Sequence, residues 1–333
     1  MDIRNRTQLR QFAAERLENA RDAKKIVTIY AAIIIGMSVA VALVNYVLGL
    51  QIDQTGGLSN IGTRTVLSSM QSMLPLVQTI VSICLQLGYT SAMLRIARGQ
   101  YASLNSLRLG FDRFWVLLRY TILYNAILMG MGFASLYLGM TIFAMTPLSR
   151  PAMELITPLL SQNTLINAAV TIPDTLYSQL LRSMIPAFLI CIVVFCLLGV
   201  PTLYRMRMAS YVIIDKPGIG ALAALRESKK MMRRNCLHLF KLDLSMWWFY
   251  LSLILSSVVC YGDMILPMLG IELPFSSDVS FFLFYGLYWV LDFAIFYYLR
   301  NPVEVSYALA YDAIRPQEKP QDGGVVLGNI FQM

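Results

Sequence analysis

Six apolar stretches dominate the sequence: residues 26–50, 66–94, 115–145, 184–212, 239–261 and 279–299. Each is long enough to cross about 30 Å of hydrocarbon as a helix. Inside a bilayer the backbone must satisfy its own hydrogen bonds, which restricts such stretches to helix. The expected fold is therefore all-α: a polytopic membrane helix bundle of about six transmembrane helices plus interfacial amphipathic helices. Composition supports this, with only 14% charged and 57% hydrophobic residues. Soluble domains average about 25% and about 45–50%.

The placement of Lys and Arg orients the bundle. Of the 27 in the chain, all but Arg64, Arg150 and Arg182 fall before the first stretch, in the loops after the second and fourth or the flanks of those loops, or after the sixth. By the positive-inside rule those segments are cytoplasmic, so both termini are expected inside. The net charge of +8 thus reports topology rather than a basic soluble domain. A cleavable signal peptide is not expected, because the first 25 or so residues are polar and helix-like. The predicted organisation is a cytoplasmic amphipathic helix over 1–25, a six-span membrane domain over 26–315, and a flexible cytoplasmic tail over 316–333. The exterior segment 147–183 is read as a cap of short helices, with a re-entrant hairpin as the alternative.

Enzyme motifs are missing: the sequence has no H-E-x-x-H, no G-x-S-x-G and no phosphate loop. His238 is the one histidine, which excludes any metal site needing two. Cys84, Cys191, Cys196, Cys236 and Cys260 show no C-x-x-C spacing and read as buried, reduced thiols. No catalytic residue, metal or cofactor is expected.

Polar residues inside the apolar stretches are the sharper signal. Asp292 lies in "YWVLDFAIFYYL", where a carboxylate needs a partner or a proton. Gln71, Gln78 and Asn125 fall in other spans and could join it in a polar, coupled site. The competing reading is an acid that only fixes helix packing. The glutamines also imply that the second span faces protein, whereas the first and the last two look like uninterrupted spans. Ala32, Gly36 and Ala40 form a small-residue stripe in span one, read as internal helix packing.

"RESKKMMRRN" superficially resembles a nucleic-acid patch, but its loop lacks the aromatic stacking groups such binding uses. Asp215, Lys216 and Pro217 look like a helix start. From there Ala221, Leu225, Ser228, Met232 and Cys236 recur on one face, away from Arg226, Lys229, Lys230, Arg233 and Arg234. The expectation is an interfacial helix, apolar face down, whose cations meet anionic headgroups of the inner leaflet. Leu9, Phe12, Ala13, Leu17 and Ala20 suggest a second such helix at the N-terminus. Membrane lipids are the expected partners, with a protein partner or homo-oligomer also possible, and no nucleic acid.

The two large cytoplasmic loops are alike. A shift of 118 residues pairs Leu104, Leu107 and Arg108 with Leu222, Leu225 and Arg226, which leaves duplication and chance both open. The stretch "YVIIDKPGIGALAALRESKKMMRRNCLHLFKLDLS" resembles the signature of a family of bacterial multi-pass membrane proteins, domain of unknown function nine-seven-five. The positions carrying it include Tyr211, Asp215, Pro217, Ser228 and Met232. "LGYTSAMLRIARGQ", "GFDRF", Pro302, Ala308 and Tyr311 extend it over about residues 85–312. Arg234 and Cys236 stand where that family usually has glycine and lysine, which puts a sharp turn there in question. The resemblance implies a bacterial cytoplasmic membrane protein and no particular activity. Two functions stay open on the sequence: transport or lipid handling, and a non-catalytic scaffold or regulatory subunit.

Overall fold

A computed structural model describes residues 5–20, 22–54, 61–161, 174–268 and 276–315. The predicted tail 316–333 and the middle of the exterior segment lie outside these residues. All regular structure among the described residues is helical: α1 (Arg6–Asn19), α2 (Ala23–Gln54), α3 (Ile61–Ala97), α4 (Leu109–Asp112), α5 (Phe114–Met145), α6 (Arg150–Ser161) and α7 (Asp174–Met206) come first. They are followed by α8 (Ala209–Asp215), α9 (Ala221–Met232), α10 (Cys236–Ser245), α11 (Trp247–Cys260), α12 (Gly262–Met268), α13 (Ser277–Ile295) and α14 (Asn301–Ile314). Five helices are long and apolar enough to cross a membrane, or six if the bent pair α10–α11 is one span. The bundle predicted from the apolar stretches is what forms.

The helices fall into two compact units, one from residues 1–108 and 233–333 and one from 109–232. In the first, α2 packs along α3, α11 along α13, and α14 against both α1 and α3. Sequence reading ended the last span near residue 299. The chain instead passes through a π-helical turn, Phe296–Arg300, into α14, where Val303, Val305, Tyr307, Ala308, Ala310 and Tyr311 are all buried. Burial around most of its circumference makes it a core helix. The N-terminal α1 buries Leu9 and Ala13, packing on α14 and α3. Protein therefore covers Leu9 and Ala13, while Phe12 of the same predicted face stays exposed.

The burial of α3 changes along its length. Its C-terminal part, from Cys84 to Ala97, is largely core, while Val66, Met70, Met73 and Val77 are exposed. The helix runs unbroken through Pro75. Gly88 shows why its inner part packs so closely. A Cβ there would lie 2.2 Å from the Leu107 carbonyl oxygen, in the 3-10 turn Leu104–Arg108. No side chain fits that gap.

The fifth span, expected to be uninterrupted, is broken: α10 and α11 meet at 66° around Met246. Hydropathy is blind to such a bend, because both arms are apolar. The small-residue stripe of span one is also corrected. Ala32, Gly36 and Ala40 are exposed, and a Cβ on Gly36 meets nothing within 4 Å. None of the five cysteines forms a disulfide; Cys84 and Cys191 are buried as expected, whereas Cys236 and Cys260 are half-buried and Cys196 is exposed.

In the second unit α5 and α7 pair along their length, and α9 packs on α5, α7 and α8.

Candidate functional site

One face of α2 carries Ser38, Val41, Ala42, Asn45, Tyr46 and Gly49 at three- and four-residue spacing, so they share one side of the helix. That side lines an open pocket of about 630 Å³. Gln71, Pro75 and Gln78 of α3 form its second wall. Phe281, Tyr285, Tyr288 and Trp289 of α13, with Cys260 at the end of α11, form the third. All these walls belong to the first unit.

The pocket has a hydrogen-bonded floor. Gln78 Nε2 donates to Ser38 Oγ at 2.7 Å, and Gln71 Nε2 to the Asn45 backbone carbonyl at 3.5 Å. Asn45 Oδ1 is buried without a hydrogen-bond partner in the chain. An orphaned buried acceptor costs about 1–3 kcal/mol. The wall is aromatic. Phe281 and Tyr285 have centroids 4.3 Å apart, Tyr46 meets Phe282 edge-on at 5.0 Å, and Tyr285 meets Trp289 edge-on at 6.0 Å.

Of the residues singled out from sequence, Gln71 and Gln78 line this pocket together. Asp292 follows Trp289 by one turn of α13 and is half-buried, but it is not among the lining residues. Asn125 belongs to α5 in the other unit and does not line the pocket either. Sequence reading passed over Ser38, Asn45 and the aromatic wall. Their helical spacing was the available signal, masked because span one is otherwise so apolar.

A second polar cluster, also missed, sits at the other end of the same helices. The Arg300 guanidinium carbon lies 4.3 Å from the Phe296 ring centroid, 5.2 Å from that of Tyr30 and 5.3 Å from that of Tyr89. The two tyrosines stack at 4.6 Å. Arg300 donates to Gln86 Oε1, which also accepts from the Tyr30 hydroxyl at 2.6 Å. Glu304 Oε1 lies 3.8 Å from Arg300 Nε and accepts from Gln86 Nε2 at 3.4 Å. Tyr89 donates to Asn301 Oδ1 at 2.7 Å. Both charged side chains are only 17% exposed. This arrangement needs the π-helical turn, which carries Arg300 itself, and such turns recur at functional sites. The i,i+4 pair in "RNPVE" was the sequence signal, but Arg300 read as one more topology charge.

Two further ties hold α14 in place. Tyr307 donates to Asp243, and its hydroxyl oxygen lies 2.5 Å from that of Tyr250. Arg98 grips the Asp312 carboxylate, with Nε 3.0 Å from Oδ2 and Nη2 2.7 Å from Oδ1.

A family model described as "Protein of unknown function (DUF975)" matches residues 1–315. The chain belongs to this family. No curated protein and no solved structure matches it.

The DUF975 resemblance seen in the sequence falls on residues with clear structural jobs. Lys216, Pro217, Gly218 and Ile219 form a type II turn. Gly218 has φ +89°, and Ile219 N–H donates to the Lys216 carbonyl at 3.3 Å. Asp215 is thus the last residue of α8, not the start of the next helix, which begins at Ala221. The expected helix start is corrected: proline and a positive-φ glycine in succession make a turn. Tyr211 is buried on α8, and Arg113, of "GFDRF", donates to the carbonyls of Ile213 and Ile214 at its end. A cation there satisfies carbonyls that the helix leaves open. Ser228 donates to the Arg205 carbonyl at 2.8 Å, and Lys216 pairs with Glu227 at 2.6 Å.

The apolar face of α9, with Ala221, Ala224, Leu225, Ser228, Met231 and Met232, is buried against its own unit. The expectation that this face dips into lipid is corrected: protein covers it. Arg226, Lys229 and Lys230 remain exposed on the other side. The helix ends at Met232, and Arg233, Arg234 and Asn235 form a turn, so the turn is made without glycine and Cys236 starts the next helix. Arg233 and Arg234 are exposed. The two loops matched by the 118-residue shift differ in form, a 3-10 turn at Leu104–Arg108 against the three-turn α9.

Proposed function

We propose that this chain is a non-enzymatic protein of the bacterial cytoplasmic membrane that binds a membrane-derived amphiphile, for transport or lipid handling. The pocket of about 630 Å³ between α2, α3 and α13 carries this reading. It combines volume, hydrogen-bonding groups and an aromatic wall inside helices apolar enough to span, within the range of about 300–1,000 Å³ typical of small-molecule sites. The Arg300 cluster occupies the other end of α2 and α3, which favours a one-ended site over a channel. The distribution of Lys and Arg supports both termini in the cytoplasm. In that orientation the pocket belongs to the outer half of the bilayer and the Arg300 cluster to the inner half.

The test is purification into nanodiscs followed by native mass spectrometry of bound lipid. A bound amphiphile is expected in the wild-type protein and lost in Gln71→Leu/Gln78→Leu. Equal occupancy in both proteins defeats the pocket reading.

The exposed cations Arg226, Lys229, Lys230, Arg233 and Arg234 favour a second role, contact with anionic headgroups on the inner leaflet. Each contributes on the order of 1 kcal/mol near such a surface. That role suits a non-catalytic scaffold or regulatory subunit with a protein partner as well as it suits lipid handling. Neutralising Arg226, Lys230, Arg233 and Arg234 together is expected to reduce cross-linking to anionic lipid. Unchanged insertion with unchanged cross-linking sinks it.

A further inference from the structure

We infer that the α2–α3–α13 pocket selects an amphiphile whose head is uncharged and bears hydroxyl groups. The inference rests on the reading of this pocket as a binding site and names the chemistry it accepts.

The described lining residues supply amide, hydroxyl, thiol, indole and phenol groups but no formal charge. A charged head drawn from water into such a site needs an opposite charge to offset its lost hydration. Nothing in the described lining provides one. Asp292 and Asp263 lie beyond the lining but within electrostatic reach of Tyr288, Tyr285 and Cys260, and Arg300 counters the field of Asp292 in part.

The polar groups alternate in kind. Asn45 Oδ1 is an acceptor with no partner, closed off from the pocket until the side chain turns to present it. Gln78 uses its amide nitrogen on Ser38, which leaves its carbonyl oxygen as an acceptor and the Ser38 hydroxyl hydrogen as a donor. Gln71 spends one amide hydrogen on the long 3.5 Å bond to the Asn45 carbonyl, which leaves the other available. Donors beside acceptors suit hydroxyl groups, which act as both. A cationic head would use only the acceptors and an anionic head only the donors. The faces of Tyr285 and Trp289 offer apolar contact to the C–H surface of a polyol. Exposed Leu43 and Val47 on α2 and Leu287 on α13 give an acyl chain an apolar surface.

Photo-labelling with competition tests this. The full chain in nanodiscs is labelled with a diacyl probe carrying a tail diazirine. The competitors share its tails and carry glycerol, a monosaccharide, a phosphate monoester or a quaternary ammonium as head. Labelling is expected on residues 38–49, 71–78 and 281–289. The glycerol and monosaccharide lipids are expected to compete at concentrations at least tenfold below the two charged ones. Asn45→Leu is expected to erase that preference, and Asn45→Asp to shift it toward the ammonium lipid. Equal or better competition by a charged head overturns the selectivity while leaving the pocket reading in place. Absence of labelling at these residues overturns both.

Discussion

Tyr307 donates its hydroxyl hydrogen to the carboxylate of Asp243, joining α14 to α10 just before the chain bends by 66°. The same hydroxyl reaches Tyr250 on the far arm of the bend. One phenol thus fixes both arms. Asp243 is 7% exposed and Tyr307 5%, so the bond is made away from water. Removing it by Tyr307→Phe leaves a buried carboxylate short of a donor and should cost about 1–3 kcal/mol. A lower melting temperature in detergent is the expected outcome, with little change for Leu244→Ala on the exposed face of α10.

The Arg300 cluster depends on a flat cation between rings. Arg300→Lys keeps the charge but loses the planar fork, so it should behave much more like Arg300→Met than like wild type. Breaking a buried pair by removing one partner costs about 3–5 kcal/mol, because the other charge is stranded. Arg300→Met/Glu304→Met should therefore be less destabilised than the sum of the single variants. Thermal unfolding of the four proteins checks this, and additive losses would count against it.

Glycines at two positions should respond in opposite ways. Gly88→Ala drives a Cβ into backbone at Leu107, and the expected result is strongly reduced folded yield. Gly36→Ala adds a methyl where nothing lies within 4 Å, and should be tolerated. Size-exclusion profiles of the two variants give the comparison.

The Arg98–Asp312 pair is partly exposed, with side chains at 25% and 29%. Two-point geometry raises it above an ordinary surface pair, to about 1 kcal/mol. Asp312→Ala should release the end of α14 to protease, and high salt should narrow the difference from wild type. Restored protection in Arg98→Asp/Asp312→Arg would tie the effect to the pair itself.

The spans were legible because hydropathy over about 20 residues is a local property. Gln71 and Gln78 were legible as unusual, and they do share a pocket. Their partners were harder to see. Asn45 and Ser38 stand alone in the sequence of α2, and only the approach of α3 and α13 makes them a floor. Asp292 stands out in the sequence for its cost in lipid, whereas the buried Asp243 and the half-buried Glu304 do not. Asp243 lies beside Lys241 in a stretch that reads as the start of a span, and Glu304 in a stretch that reads as tail. The amphipathic face of α9 was read correctly as apolar. Its cover was misassigned, because periodicity says that a face is buried but not by what.

The sequence alone determined a helical membrane bundle, since nothing but helix satisfies the backbone in six such apolar stretches. The distribution of Lys and Arg also gave an expectation of which loops share a side. The tertiary structure decided the rest. It bent the fifth span, made α14 a core helix rather than the start of a tail, and separated Asp292 from the pocket that Gln71 and Gln78 line. These outcomes depend on contacts far apart in the sequence, such as the packing of α1 on α14 and the bond between Arg10 and the Ser245 carbonyl, 235 positions away. Apolarity and helical period describe each helix singly, and carry no information about which neighbour it meets.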